Sequence, residues 1–297
     1  MIEVSQLTKV YGSTVAIDRL DFGVQKGEIV GFLGPNGAGK STTMRILAGA
    51  LGATRGAALI GGHDVLQEPR AVKRLVGYLP EVPPLYEEMT VRGYLRFCAG
   101  IKKASNPRAA VERTVGRVGL TSVAHRLIGH LSKGYRQRVG IAQALVHDPQ
   151  VLILDEPASG LDPAQRVEIR QLVKQLAAGD TTVLLSTHVL PEVEAICDRV
   201  IIIQAGRIVA QDSVDALSNA GHSVVVKLRE ASALAIAAIA AVEGVLSVHD
   251  EGGGRLAVRA GSDVRAQVAR AAAPYDLLEL GSRGGLEDIF LQLTEAS

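Results

Sequence analysis

The first residues whose types and spacing could support chemistry lie between positions 34 and 42. They fit the pattern Gly-x-x-x-x-Gly-Lys-Ser/Thr and are Gly34, Pro35, Asn36, Gly37, Ala38, Gly39, Lys40, Ser41 and Thr42. The segment follows a predicted strand and opens a predicted helix, which is the setting of a phosphate-binding loop. Backbone N–H groups of such a loop, together with the helix N-terminus, can hold phosphate oxygens. Lys40 can reach the β- and γ-phosphates, and the Ser41 hydroxyl can ligate Mg²⁺.

A pair of carboxylates follows an apolar stretch of strand length, Val151–Leu154. A buried parallel strand delivers the residues at its C-terminal end to the crevice where ligands bind. Asp155 is suited to holding Mg²⁺ through water, and Glu156 could take the proton of an attacking water. Taken alone, such a pair is more typical of a solvated strand end, but the phosphate-binding loop upstream reverses that preference.

Ser132 indicates a second helix N-terminus, because serine is a good N-cap and a helical pattern follows it. Residues 131–138 read Leu-Ser-Lys-Gly-Tyr-Arg-Gln-Arg. The N-terminus of this helix can bind an anion. By itself the segment is more typical of an ordinary capped helix than of a binding site.

The elements that must position these residues are apolar stretches separated by helical patterns. The stretches are Ile29–Leu33, Val151–Leu154, Val183–Leu185 and Val200–Gln204. They predict parallel strands covered by helices on both faces, which is an α/β fold. Alternation in Ile2–Val10 and Val15–Val24 predicts two further strands at the start of the chain, and helical patterns dominate from Val91 to His147.

The chain of 297 residues has room for two domains, and its character changes near Ser218–Gly221. We predict a first domain at residues 1–220, with a helical part at about 85–147, and a second at residues 221–297. The second domain reads strand, Ala-rich helix, strand, a turn at Gly252–Gly254, strand, helix, strand and final helix. That order resembles a small α+β domain of ferredoxin-like type.

Composition argues against several classes of function. Lysine and arginine number 32 against 31 aspartates and glutamates, and aromatic residues are 3% with no tryptophan, so no nucleic-acid partner is expected. Cys98 and Cys197 stand apart, without the spacing of a disulfide framework or a zinc site. The N-terminal segment does not read as a signal peptide. The most apolar window, Ala233–Val242, is too short to span a bilayer, so action at a membrane would need a partner.

The order of these motifs resembles the ATP-binding cassette (ABC) ATPases over about residues 1–215. The phosphate-binding loop, the Leu-Ser-x-Gly segment, the LILDEP strand and His188 after an apolar strand occur in that order. The resemblance implies a P-loop ABC ATPase domain with a RecA-like core, an antiparallel β subdomain and an α-helical subdomain. The segments VGYLPE, PLYEEMTV and LSKGYRQRVG look like those of ABC-2 type exporter subunits, in the gliding-motility and multidrug-like branch.

The resemblance also implies roles for individual residues. Tyr11 matches the aromatic residue that stacks on adenine, and Glu156 matches the catalytic base. His188 matches the switch histidine that senses the γ-phosphate. Ser132 and Gly134 match the signature residues that contact the γ-phosphate bound by the other subunit. The segment from 159 to 162, Ser-Gly-Leu-Asp, resembles the loop that joins the two sites.

The sequence departs from the family pattern at three positions. Glu81 stands where most members have glutamine after Leu-Pro; it is still an oxygen ligand for Mg²⁺, but a charged one. Lys133 replaces the usual glycine of the signature, and Tyr135 replaces the usual glutamine. Ser132 and Gly134 remain, so we expect the phosphate contact to survive.

The resemblance implies ATP and Mg²⁺ as cofactors and a homodimer of ATP-binding subunits. It further implies a separate transmembrane permease, engaged around Glu81 and the helical subdomain, on the cytoplasmic face of the cell membrane. Three alternatives stay open at this point. They are a soluble ABC ATPase that remodels nucleic acid or ribosomes, a regulatory nucleotide-binding cassette, and an importer subunit. For residues 221–297, a role in dimerisation, in regulation or in contacting the permease stands beside a simple packing role.

Overall fold

The structure is a computed structural model that describes residues 1–220 and 222–283. The chain divides into two compact units, Met1–Gln211 and Asp212–Ser297. The composition changes at about residue 220, whereas this division lies at residue 211, because helix Val214–Ala220 groups with the second unit. No helix among the described residues is long and apolar enough to cross a membrane.

The first unit begins with an antiparallel sheet of four strands in the order β2-β1-β4-β5. Its strands are β1 (Ile2–Tyr11), β2 (Thr14–Val24), β4 (Arg55–Ile60) and β5 (His63–Asp64). Apolar residues on one face of β1 and β2, among them Ile2, Leu7, Ile17 and Leu20, are fully buried or nearly so. The alternation seen in the sequence therefore corresponds to a sheet with one buried face.

The second sheet of this unit has six strands in the order β10-β9-β3-β8-β7-β6. They are β3 (Ile29–Leu33), β6 (Val76–Leu79), β7 (Val151–Asp155), β8 (Thr182–Thr187), β9 (Arg199–Gln204) and β10 (Arg207–Ser213). Strands β6, β7, β8, β3 and β9 pair in parallel, and every residue of β3, β7 and β8 is buried. The carboxyl ends of neighbouring strands thus meet at one edge, with Leu33 opposite Thr187 and Asp155 opposite Ser186.

Seven α-helices and two short 3-10 helices, Thr121–Val123 and Ile128–His130, complete the part of the first unit that the structure describes. The α-helices are α1 (Lys40–Leu47), α2 (Pro69–Leu75), α3 (Val91–Ile101), α4 (Pro107–Arg117), α5 (Lys133–Leu145), α6 (Pro163–Ala177) and α7 (Leu190–Ile196). Side chains of Thr90, Asn106, Ser132 and Asp162 cap α3, α4, α5 and α6 by accepting a backbone N–H three residues on. Helices α3, α4 and α5 lie within the region that the sequence predicted as helical. This unit has the antiparallel sheet, parallel sheet and helical region expected of a P-loop ABC ATPase.

The second unit is described as far as Arg283. Its elements are α8 (Val214–Ala220), β11 (His222–Leu228), α9 (Ala233–Ala240), β12 (Val245–Gly252), β13 (Arg255–Ala260), α10 (Arg265–Ala272) and β14 (Leu277–Arg283). The sheet order is β12-β13-β11-β14, with all three pairings antiparallel. After α8, this is the β-α-β-β-α-β order of ferredoxin-like domains. The predicted final helix lies outside the described residues.

Candidate active site

The phosphate-binding loop connects β3 to α1, and its glycines are required by backbone geometry. Gly37 and Gly39 have positive φ angles of 81° and 106°, which only glycine adopts without strain. A Cβ at Gly34 would lie 2.3 Å from the Ile203 carbonyl oxygen, so no larger residue fits there. The sequence pattern thus reflects two separate constraints, the left-handed turns and the close approach of β9.

Lys40 begins α1 and lies beneath the loop, where it is 6% exposed. Its Nζ donates to the carbonyl oxygens of Gly34 at 2.8 Å and Pro35 at 3.2 Å, and lies 3.5 Å from Glu156 Oε1. The first turn of α1 carries no acidic residue, so its free N–H groups and dipole present positive potential to the cleft. A buried ammonium group beside this helix N-terminus fits a polyphosphate.

Asp155, the last residue of β7, is 2% exposed and accepts two hydroxyl hydrogen bonds on Oδ1. Ser186 Oγ donates at 2.6 Å and Ser41 Oγ at 3.1 Å. Burial raises the pKa of the Asp155 carboxyl; the two serine hydrogen bonds oppose that rise, and the charges of Glu81 and Glu156 add to it. A nearby cation would stabilise the ionised form of this carboxyl group.

The described residues contain no group of three or more His, Cys, Asp or Glu side chains that could hold a metal ion. Of the three predicted metal ligands, Ser41 and Asp155 are joined by a hydrogen bond beside the loop, and Glu81 lines the same cleft. Mg²⁺ keeps several waters and binds through one or two protein oxygens together with substrate phosphates. The donor set therefore fits Mg²⁺ arriving with a nucleotide.

Glu156 follows directly and has a left-handed backbone, with φ at 48°. Its N–H donates to Ser186, with the carbonyl oxygen at 3.1 Å and Oγ at 3.0 Å. His188 Nδ1 lies 2.9 Å and 3.0 Å from the two carboxylate oxygens of Glu156. A non-glycine residue held in this strained conformation is typical of functional sites, and here it sets where the carboxylate points.

These groups line one cleft of about 380 Å³. It is lined by Ala16, Asn36, Gly37, Gly39, Lys40, Ser41, Thr42, Glu81, Glu156, Ser159 and His188. Most of these residues are candidates that the sequence analysis named, and they come from separate loops and helix starts. Gly34, Pro35 and Ala38 do not line the cleft but shape its loop, and Asp155 reaches it through Ser41.

Tyr11 does not line this cleft. It ends β1, is 44% exposed and has Lys9 Nζ 5.2 Å from its ring centroid. Ala16, on the neighbouring strand β2, lines the cleft instead. The stacking role assigned to Tyr11 therefore stays a prediction.

Ser132 and Gly134 lie in a second cleft, of about 310 Å³. Its lining residues are Gly119, Ser132, Gly134, Tyr135, Arg138, Gln165, Glu168 and Ile169, none of which lines the first cleft. A Cβ at Gly134 would lie 2.9 Å from the end of the Gln165 side chain, which would have to move to admit it. The second helix N-terminus is therefore separate from the phosphate-binding loop within one chain.

Two supporting residues were missed by the sequence analysis. Ser186 Oγ donates to the Asp155 carboxylate and accepts from the backbone N–H of Glu156. Its position near the end of a buried strand, two residues before His188, could have indicated it. Gln137 is buried in α5 and its Nε2 donates to the Pro157 carbonyl oxygen at 2.8 Å. That contact joins the helix of the second cleft to the loop after Glu156, and no local pattern indicates it.

Known proteins resemble this chain in both sequence and structure. Residues 17–159 match the family described as ABC transporter. The chain is 40% identical to the bacitracin transport ATP-binding protein BcrA of Bacillus licheniformis, over 73% of this chain and 71% of that protein. It is 35% identical to the daunorubicin/doxorubicin resistance ATP-binding protein DrrA of Streptomyces peucetius, over 99% of this chain and 92% of that protein. A solved structure of an ATP-binding subunit of an ABC transporter matches with a TM-score of 0.67 and 33% identity, over 74% of this chain and 92% of that chain.

The fold and the first cleft define a P-loop ATPase, with a phosphate-binding loop, a buried carboxylate pair and a histidine at the carboxyl edge of one parallel sheet. The chain belongs to the ABC transporter family, as an ATP-binding and ATP-hydrolysing protein that uses Mg²⁺. The family and fold expected from the motifs are confirmed. The two relatives are named as ATP-binding proteins of bacitracin transport and of daunorubicin and doxorubicin resistance.

Proposed function

We propose that this chain powers export through a separate transmembrane permease, as the ATP-hydrolysing subunit of an ABC-2 type transporter. Its relatives include proteins named for bacitracin transport and for daunorubicin and doxorubicin resistance. The resemblance over almost the whole of the latter protein covers the second unit as well as the first. We place the chain at the cytoplasmic face of the membrane, held there by its permease.

The observation that carries this proposal is that the candidate ATP-binding residues line two separate clefts. Lys40, Ser41 and Glu156 line one cleft, whereas Ser132 and Gly134 line another. Two copies arranged head to tail would place the second cleft of each over the first cleft of the other. In a two-fold arrangement both sites are then completed by the same contact. We infer a homodimer that closes over two ATP molecules.

We propose a task for each of five side chains in or beside the first cleft. Bound ATP and Mg²⁺ supply the phosphoryl group and neutralise its charge. Lys40 would hold the β- and γ-phosphates, while Ser41 and Asp155 would hold the metal directly and through water. Glu156 would accept the proton of the attacking water, and His188 would keep that carboxylate aimed at it. Hydrolysis would remove the γ-phosphate that joins the two copies and let the dimer open.

We propose that the permease contacts the helical region beside Glu81. Tyr86, Phe97 and Ile101 form an exposed apolar patch there, with the ring centroids of Tyr86 and Phe97 5.6 Å apart. The preceding loop carries Glu81, which lines the ATP cleft, followed by the exposed Val82. A permease segment on this patch would therefore lie next to a loop that lines the ATP cleft.

The experiment for the dimer uses Glu156→Gln, which should bind ATP and hydrolyse it slowly. Size-exclusion chromatography with light scattering is expected to show a dimer with Mg²⁺-ATP and a monomer with ADP. A variant that stays monomeric at saturating ATP would contradict the shared-site arrangement. ATP hydrolysis by the unmodified protein, followed as phosphate release, separates this function from that of a regulatory cassette.

The experiment for the permease uses the patch. The tagged chain is recovered from detergent-solubilised membranes of the source cells, and bound proteins are identified by mass spectrometry. Phe97→Asp is expected to lose a polytopic membrane protein that Leu66→Asp retains, because Leu66 is also exposed but lies outside the patch. Recovery of ribosomal proteins or DNA in place of a membrane protein would favour the nucleic-acid alternative.

A further inference from the structure

A buried carboxyl group outside the ATP cleft contacts the loop that carries His188. Glu192 lies in the first turn of α7 and is 6% exposed. Its Oε2 accepts a hydrogen bond of 2.7 Å from the hydroxyl of Thr187, the last residue of β8, which is fully buried. A contact of this length is an ordinary, well-formed O–H···O hydrogen bond.

The Thr187 hydroxyl holds the chain on both sides of His188. Besides donating to Glu192, its Oγ1 accepts the N–H of Val189 at 3.1 Å. A carboxylate can only accept hydrogen bonds, so Glu192 draws the hydroxyl proton toward itself and leaves an oxygen lone pair for Val189. The direction of the hydrogen bonds around His188 is therefore set by Glu192.

Burying the Glu192 carboxyl group costs desolvation free energy that an apolar residue at this position would not cost. Among the residues that the structure describes, Glu192 forms no ion pair, and the hydrogen bond that its side chain accepts comes from a neutral hydroxyl. Burial raises the pKa of its carboxyl; the Thr187 hydrogen bond opposes that rise, the charge of Glu156 adds to it, and Arg166 and Arg170 lower it. The helix N-terminus offsets part of this cost. Stability alone does not explain a carboxyl at this position, since an apolar residue would fill it without desolvating a charge.

His188 depends on this support. The His188 side chain is 47% exposed, and the hydrogen bonds described for it go to Glu156. Little packing therefore fixes the imidazole, and its direction follows from the backbone between Thr187 and Val189. A shift of about 1 Å in a catalytic group can cost about 10²-fold in rate.

We propose that Glu192 is a positioning residue for His188: through the Thr187 hydroxyl it fixes the loop that aims the imidazole at Glu156. The inference rests on the role of His188 in the proposed function. Glu192 touches neither nucleotide nor metal in this arrangement, and it acts through one intervening side chain.

Matched variants test the link. Thr187→Val and Glu192→Leu remove the hydrogen bond at nearly constant volume, whereas Thr187→Ser and Glu192→Gln keep a hydroxyl and an acceptor oxygen. In steady-state ATP hydrolysis, the first pair should lower kcat by about tenfold or more with KM for ATP changed by less than about twofold. The second pair should stay within about threefold of the unmodified protein. The double variant Thr187→Val/Glu192→Leu should be no slower than the slower single variant, because the two residues act as a unit.

A second readout does not depend on turnover. Nuclear magnetic resonance of nucleotide-free protein with isotope-labelled histidine gives this readout. The signal of the His188 imidazole is assigned by its loss in His188→Gln. It should shift in Thr187→Val and Glu192→Leu and stay in place in the two conservative variants.

Three results would overturn the inference. They are a His188 signal that does not shift in Thr187→Val and Glu192→Leu, a fall in kcat matched by an equal fall in 1/KM, and a double variant whose loss of kcat is the product of the two single losses. Normal hydrolysis by His188→Ala would instead overturn the role of His188 in the proposed function. If Glu192→Leu does not fold, Glu192→Asp takes its place. It keeps the charge but moves it away from the Thr187 hydroxyl, and it should lower kcat as Thr187→Val does.

Discussion

The Nδ1 atom of His188 faces both carboxylate oxygens of Glu156, at 2.9 Å and 3.0 Å. Lys40 Nζ lies 3.5 Å from one of those oxygens, so the carboxylate sits between an ammonium group and an imidazole. An ionised Glu156 requires the proton of His188 to be on Nδ1, because a carboxylate only accepts. The contact therefore couples the tautomer of the histidine to the charge of the base.

Glu156→Gln should reduce kcat for ATP hydrolysis by about 10²-fold or more, since an amide cannot take the proton of the attacking water. ATP affinity should change little, because Lys40 and Ser41 are unaltered. Phosphate release in single-turnover mixing gives the first quantity, and equilibrium binding of a fluorescent ATP analogue gives the second. Glu194→Gln makes the same change at an exposed position of α7 and serves as the control. Hydrolysis at the normal rate by Glu156→Gln would remove its assigned role.

Ser132→Ala should weaken ATP-dependent dimerisation beyond its effect on stability. The hydroxyl caps α5 by accepting from the Tyr135 N–H at 3.4 Å, and its loss costs roughly 1 kcal/mol of folding free energy. Asn106→Ala removes a comparable cap, on α4, where the Ala109 N–H donates at 3.1 Å. In the Glu156→Gln background, light scattering should show the ATP-bound dimer with the Asn106 variant and less of it with the Ser132 variant. Equal losses of dimer in both would mean that Ser132 acts only as a cap.

Asp155→Asn should make the nucleotide-free protein more stable than the unmodified chain as the pH rises. Burial holds the pKa of Asp155 above its usual range, so ionising it is harder in the folded than in the unfolded protein. The stability contributed by this group is therefore full below the ordinary aspartate pKa and is lost as the pH rises through the raised value. Asparagine retains an oxygen for the hydroxyls of Ser41 and Ser186 but cannot ionise.

Thermal unfolding of both proteins from about pH 3 to pH 8 tests this expectation. The difference in melting temperature should be small at the acidic end and should grow with pH until Asp155 is fully ionised. Asp180→Asn is the control, since the Asp180 side chain is 87% exposed. Parallel curves for Asp155→Asn and the unmodified chain would contradict the burial argument.

Tyr11→Ala should raise KM for ATP if the ring stacks on adenine, as the family resemblance implies. Stacking of a base on an aromatic side chain is worth about 1–3 kcal/mol, which corresponds to about 5- to 150-fold in affinity. Tyr11→Phe should bind ATP normally, and inorganic triphosphate should bind all three proteins alike. Tyr86→Ala, which removes another exposed tyrosine, provides the control. An unchanged KM in Tyr11→Ala would agree with the position of Tyr11 outside the cleft and end its assigned role.

The phosphate-binding loop could be predicted from the sequence because its chemistry is contiguous. Residues 34–42 contain the left-handed glycines, the helix start and the ammonium group within one short segment, so local backbone rules suffice. Four of the five parallel strands were equally clear, since continuous apolar runs of strand length between helical patterns are typical of strands covered on both faces. The fifth, β6, was not predicted. The boundary between the two units was less clear, because the change of composition falls within α8, whereas the first unit ends at Gln211, within β10.

By itself, the sequence determined the family, the fold class and nearly all of the groups that line the ATP cleft. Only the tertiary structure decided how those groups meet. The Asp155 carboxylate accepts hydrogen bonds from the hydroxyls of Ser41, 114 residues away in sequence, and of Ser186, 31 residues away. The tertiary structure also decided that Ser132 and Gly134 face a different cleft, and that Glu192 reaches the His188 loop through Thr187. The physical reason is that motif chemistry resides in neighbouring residues, whereas the contacts of Asp155 depend on the register of β7 against β8 and on the placement of α1, which are distant in sequence. That register is set by packing across the whole sheet, which no short pattern encodes.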